Sequence, residues 1–197
     1  LVPTADYVYS GDVQKWIKFA NSLKLRLAIR IAYADIDKAR EMAESAITQE
    51  FGVITKNEDN AAWNYFSTIS NPLYTAVRYN DPRRASYFEP SGWSGKEFVG
   101  LRRGINMKKA DSYFSKYSRV NISASAPVMW MNAAEVAFLR AEGKAIFGFN
   151  MGGEAKDFYN EGIKLSFEQL GVNGYEQYIE DGTSVPENYT DPAGLNS

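Results

Sequence analysis

Gly11–Arg30, GDVQKWIKFANSLKLRLAIR, is the stretch from which the fold is read. Its spacing predicts a helix from about Asp12 to Tyr33, with Asp12 as the N-cap whose side chain accepts from an unpaired backbone N–H. Trp16, Ala20, Leu23, Leu27 and Ile31 recur at steps of three and four and therefore share a face. Leu25 and Ile29 fall on the opposite side. Apolar residues on more than one side predict a helix with neighbours around it rather than one lying on the surface. Lys15, Lys18, Lys24, Arg26 and Arg30 take the remaining wet edges or snorkel from them.

The chain around that helix has 197 residues, enough for one well-buried domain. It is 45% hydrophobic and 23% charged, with a net charge of -2, so it lacks the basic surplus that phosphate binding requires and no nucleic-acid partner is expected. No apolar run approaches the roughly 20 residues of a membrane-spanning helix. The chain opens with Leu rather than Met and without a signal peptide, which suggests a processed chain or a fragment. It contains no Cys and no His. Disulfides, thiol nucleophiles, Ser–His–Asp catalysis and ordinary zinc sites are therefore all ruled out.

Moving outward, residues 1–10 read as an extended lead-in. Asp35 or Asp37 starts a second helix with the stripe Ile36, Ala39, Ala43, Ala46 and Ile47, and Gly52 suits a left-handed stop. Together the two make an αα-hairpin, 12–50. The helical rhythm then breaks. Residues 53–126 form an irregular lobe rich in aromatics and in turn signals such as Asn-Pro, Asp-Pro and Pro-Ser-Gly. Short helices are expected near 61–66 and 72–79, and strands around 97–101 and 113–117. A second helix pair, 127–171, has Ala133, Ala137, Ala141 and Ala145 on one stripe, followed by Ala155, Tyr159, Ile163, Ser166 and Leu170 on the next. Residues 172–197 read as a polar loop tail. Helix pairs of this length are the unit of tetratricopeptide-type repeats, and Ala155-x3-Tyr159 fits their second-helix spacing. The fold expected is mainly α, with tetratricopeptide-like helix pairs and an irregular lobe between them.

Three motifs carry a family resemblance. Gly11, Asp12, Lys15 and Trp16, followed by Lys18 through Ala28, resemble the signature helix of the SusD/RagB family of outer-membrane nutrient-binding lipoproteins. PVMWMNAAEVAFLRAEGKAIFGF, 127–149, is similar to a later helix of that family, and Asp81-Pro82-Arg83 to its mid-chain motif. The resemblance implies a middle section of a longer SusD-like chain, 1–197 being a fragment of one domain. It implies non-catalytic binding of oligosaccharides at the cell surface and delivery to a SusC-like TonB-dependent transporter. It also implies a lipid anchor on a Cys outside this chain. Two other readings stay open: a helical-repeat scaffold that binds only protein, and a SusD-like binder of peptide cargo.

The chemistry-bearing residues agree with a binder. A glycosidase needs two carboxylates across the scissile bond. Glu58, Asp59, Glu89, Glu97, Glu135 and Glu142 form no recognisable pair. Oxygen ligands for calcium are available at Asn57, Asp59 and Asn60, or at Asp181, Glu187 and Asp191. The loop pattern calcium needs is missing, so no metal and no cofactor are expected. The aromatic content is high, with 13 Tyr, 11 Phe and 4 Trp, and aromatic faces suit the apolar C–H patches of sugar rings. Trp93, in Ser91-Gly92-Trp93-Ser94-Gly95, stands in a loop that offers little to bury it. With Tyr87, Trp63 and Tyr65 it makes the expected stacking set, and Arg83 and Arg102 are the expected donors to hydroxyls. Phe66, Tyr74, Phe88 and Arg103 lie in the same lobe. Trp16 and Trp130 are assigned to helix packing.

Overall fold

The computed structural model describes residues 5–63, 81–100, 116–123 and 126–180. Helix α1 spans Val13–Ile31, and the Asp12 side chain caps it by accepting from Lys15 N at 3.1 Å. Helix α2, Ile36–Thr48, is capped in the same way by Asp35. Gly52 has φ +62°, the left-handed conformation expected after that helix. Ala39, Ala43 and Ala46 are fully buried, so small side chains let α2 lie close against α1.

The face of α1 that turns inward is centred on the other stripe, with Trp16 and Ile31 of the first stripe partly buried against the core. Ser22, Leu25, Ala28 and Ile29 are buried, whereas Leu23 and Leu27 are 36% and 46% exposed. Polar Ser22 and Asn21 go inward with this stripe because both find partners there. Ser22 Oγ accepts from Ile54 N at 2.8 Å, and Asn21 Nδ2 donates to Gly52 O at 2.8 Å. The inner stripe thus pairs the backbone of the segment leaving the hairpin.

Strand β1, Ala61–Trp63, pairs antiparallel with β2, Val128–Met131, with Trp63 opposite Val128 and a bulge between Ala61 and Ala62. A helix was expected at 61–66; instead Ala61, fully buried, faces the core opposite buried Met131. Likewise the second helix pair does not start at 127. Val-Met-Trp-Met runs as a strand first, with Met131 inward and Trp130 outward at the period of two that a strand imposes. Asn132 then caps helix α4, Ala133–Ala145, by accepting from Glu135 N at 2.7 Å.

Helix α5, Ala155–Gln169, packs along α4. The approach is close. A Cβ on Gly162 would stand 2.8 Å from the Phe138 ring, and one on Gly143 3.1 Å from Ile29 Cδ1. Residues 172–180 are not all loop, since Tyr175–Glu180 forms a short helix, α6, after the short helix α3, Arg84–Tyr87, of the lobe. Residue 101, residues 113–115 and the expected helix at 72–79 lie outside the described residues. The main core gathers Leu25, Ile29, Ile54, Met131, Val136, Phe149 and Met151 from both helix pairs. The chain is mainly α.

Candidate ligand-binding site

The lobe is fastened to the helices by Asp81-Pro82-Arg83. Arg83 Nε and Nη2 donate to the two Asp81 oxygens at 2.9 and 2.6 Å, and Nη1 donates to Ser166 Oγ on α5 at 2.7 Å. The guanidinium lies 4.8 Å from the Phe167 ring centroid and 5.5 Å from that of Tyr178 on α6. Burial opposes the Arg83 charge, but the bonds to Asp81 outweigh it and hold the pKa above its usual value. Tyr178 is pushed up to about 12 by burial and then by the Asp81 charge. Arg83 therefore stands with three of its nitrogens engaged inside the protein.

Beyond this anchor the segments 87–99 and 116–121 face one another as an irregular ladder rather than as the regular strands expected at 97–101 and 113–117. Ser118 N donates to Val99 O, Gly92 N to Lys116 O and Asn121 N to Tyr87 O, at 2.9, 2.9 and 2.8 Å. Phe88, Phe98 and Val120 make a small core under the ladder. Tyr87 ends α3 above that core and is 38% exposed. Trp93 is half-buried, because the loop expected to leave it bare has residues 116–117 behind it. Its ring meets Tyr117 edge-on at 6.1 Å, and Lys116 Nζ sits 5.3 Å from its centroid.

Trp63 stands at the end of β1, 36% exposed. It meets Trp130 edge-on at 5.7 Å, Trp130 lies 6.2 Å from Phe19, and the run continues through Trp16 to Tyr9. Trp16 is a packing residue, its Nε1 donating to Asp6 Oδ2 at 2.7 Å. Trp130 lies on strand β2 rather than on a helix and is 38% exposed, while its ring still packs toward Phe19 of α1. Reading VMWM with period two would have placed it outward. Arg26 holds this region from below, donating to both Glu135 oxygens at 2.7 Å and to Trp130 O at 2.9 Å. Tyr65 and Arg102, with Phe66, Tyr74 and Arg103, lie outside the described residues.

Among the described residues no group of three acidic side chains is placed to hold a metal. Buried Asp59 takes Lys18 Nζ at 2.7 Å and Lys15 Nζ at 3.8 Å. Asn57 donates to Leu165 O, and Asn60 Oδ1 accepts from Ala133 N. These turn residues tie the two helix pairs together. Asp181, Glu187 and Asp191 lie outside the described residues. Among the described residues no helix is long and apolar enough to cross a membrane.

No curated protein matches the chain. Solved structures do. A SusD homologue from Bacteroides uniformis is 60% identical with a TM-score of 0.84, over 100% of this chain and 45% of its own. A SusD homologue from Bacteroides thetaiotaomicron is 41% identical, TM-score 0.84, over 100% of this chain and 44% of its own. A chitin-binding SusD homologue from Flavobacterium johnsoniae is 37% identical, TM-score 0.79, over 91% of this chain and 41% of its own. The chain thus spans less than half the length of these relatives. The SusD-like family, described as Susd and RagB outer membrane lipoprotein, matches residues 2–197, and with this the signature helix, the helix-pair core and the anchored lobe find their common account: the chain belongs to the SusD-like family.

Proposed function

We propose that this chain is part of a non-catalytic glycan-binding protein of the outer-membrane surface, which holds an oligosaccharide and passes it to a SusC-like TonB-dependent transporter. The lipid anchor lies on a Cys outside the chain. The observation that carries the glycan reading is the set of partly exposed rings, Trp63, Tyr87 and Trp93, each mounted on backbone that other segments hold in place. Ring faces fixed in advance stack on sugars at low entropic cost. Tyr65 and Arg102 belong to the same proposed set. Arg83 serves it from behind, by tying the middle of the lobe to Ser166 of α5. The chitin-binding relative supports the cargo class and puts N-acetylglucosamine oligomers first among glycans to test.

Affinity electrophoresis against a glycan panel tests this. Trp93→Ala and Tyr87→Ala are expected to lose about 0.5–1.5 kcal/mol of binding each, the scale of one aromatic contact, with the far-UV circular dichroism of the folded chain retained. Retention unchanged in both variants and in Trp63→Ala would remove the glycan site from this lobe. Binding of peptides in place of every glycan would redirect the reading to peptide cargo.

A further inference from the structure

The charges of this chain are unevenly shared. Residues 53–126 carry 11 Lys and Arg against 6 Asp and Glu, a net charge of +5, and since the whole chain stands at -2 the remainder stands at -7. Most acids of the lobe already have a cation on them. Asp81 is held by Arg83 at 2.6 Å, Glu97 by Arg84 at 3.6 Å and Glu58 by Lys56 at 3.8 Å, and Asp59 takes Lys18 of α1 at 2.7 Å. Beyond these pairs the described part of the lobe carries Lys96, Lys116 and Arg119, all exposed, against Glu89. Two of these cations are built into the Trp93 turn. Gly92 N donates to Lys116 O at 2.9 Å, and Lys96 N donates to Trp93 O at 3.3 Å. Lys116 Nζ lies 5.3 Å from the Trp93 ring centroid. Arg119 follows on the Lys116 segment, its carbonyl accepting from Glu89 N at 2.8 Å.

We propose that the cargo is an acidic glycan, one bearing uronate carboxylates or sulfate esters, and that Lys96, Lys116 and Arg119 around Trp93 form its anion-facing side. The inference rests on the glycan reading above and adds the charge of the cargo to it. The argument is charge complementarity joined to ring stacking. The indole face takes the apolar C–H patch of a sugar, and ammonium or guanidinium groups beside it take anionic oxygens in charge-assisted hydrogen bonds. The opposite sign of the rest of the chain repels the same polymer, so its approach is steered to the lobe.

The test is isothermal titration calorimetry of the full chain with a galacturonic acid hexamer and with its methyl ester, the same sugar without the charge. Dextran sulfate against dextran is the second arm and separates sulfate from carboxylate. At least one acidic form is expected to bind about fivefold or more tighter than its neutral counterpart at low salt, the advantage shrinking as salt is added. Lys96→Glu joined to Arg119→Glu, and separately Lys116→Gln, should cut that advantage and leave the affinity for the neutral form as it was, which a loss of folding would not do. Equal affinity for acidic and neutral forms, or an advantage untouched by these variants, would overturn the inference and leave the glycan reading standing. No binding of any of these four sugars or of an N-acetylglucosamine hexamer would overturn both. Binding to phosphatidylglycerol vesicles through the same three cations, with no preference between sugar forms, would assign the basic side to a lipid surface and overturn the inference as well.

Discussion

Arg83→Ala separates an anchoring guanidinium from one that meets ligand. The substitution takes the guanidinium away from the Asp81 carboxylate, 7% exposed, and leaves it the backbone N–H of residue 83 at 2.9 Å and a long bond from Tyr178 OH at 3.5 Å. Removing one partner of a buried ion pair costs about 3–5 kcal/mol, because the other charge is left dry and unpaired. Here the Arg83 and Asp81 side chains keep 16% and 10% of their surface, so solvent screens the pair somewhat. The lower end, about 3 kcal/mol, is the expectation. In a chain of this size that corresponds to a melting temperature lower by roughly 6–12 °C. Urea titration at neutral pH gives the free energy directly. The double variant Asp81→Asn, Arg83→Met removes both charges and keeps the stem over the rings. It should recover at least about half of the loss, since neutral replacement of both partners is far cheaper than breaking the pair. A change below about 0.5 kcal/mol in Arg83→Ala, the range of an ordinary surface substitution, would refute the reasoning and return Arg83 to the ligand face.

Two further outcomes follow from the packing of α1. Ser22→Ala leaves the buried Ile54 N–H without its acceptor and should cost about 1–3 kcal/mol in the same urea assay, whereas Leu23→Ala on the open side should cost less. Asp6 accepts from Trp16 Nε1 and from the backbone of Gly11, Tyr9 and Val8, and its pKa is lowered to about 2, chiefly by the Trp16 bond. A depressed carboxyl stabilises the fold above its unfolded value, and that contribution is lost as pH falls from about 4 toward 2. Trp16 fluorescence should follow this acid transition, and Asp6→Asn should remove that part of the pH dependence.

Local chemistry was legible wherever it is self-contained. Asp12 and Gly52 each act through neighbours a few residues away, and each stands as its spacing predicts; of the α2 stripe, Ala39, Ala43 and Ala46 are buried as expected whereas Ile36 is 46% exposed. What depended on distant partners was not legible. Periodicity on α1 offers two stripes, and Ser22 and Asn21, which go inward with one of them, find their partners past the next helix. The strand at Ala61–Trp63 exists because Val128–Met131 comes back to meet it across the whole lobe. Helix α6 was read as loop because its apolar contact, Tyr178 on Phe167 at 5.3 Å, belongs to another helix. The site shows the same division. Trp63, Tyr87 and Trp93 could be singled out by residue type, but how far each ring stands clear depends on Trp130, Phe88 and Tyr117.

The β1–β2 ladder brings the two ends of the lobe side by side, Trp63 across from Val128. A segment that leaves and re-enters a framework at one point behaves as a closed loop, and doubling such a loop adds only about 0.6 kcal/mol of closure entropy. The lobe is therefore a cassette. Provided that the ladder and the Asp81–Arg83 clasp are kept, lobes of different length can be grafted between the same two helix pairs while the helical framework stays fixed.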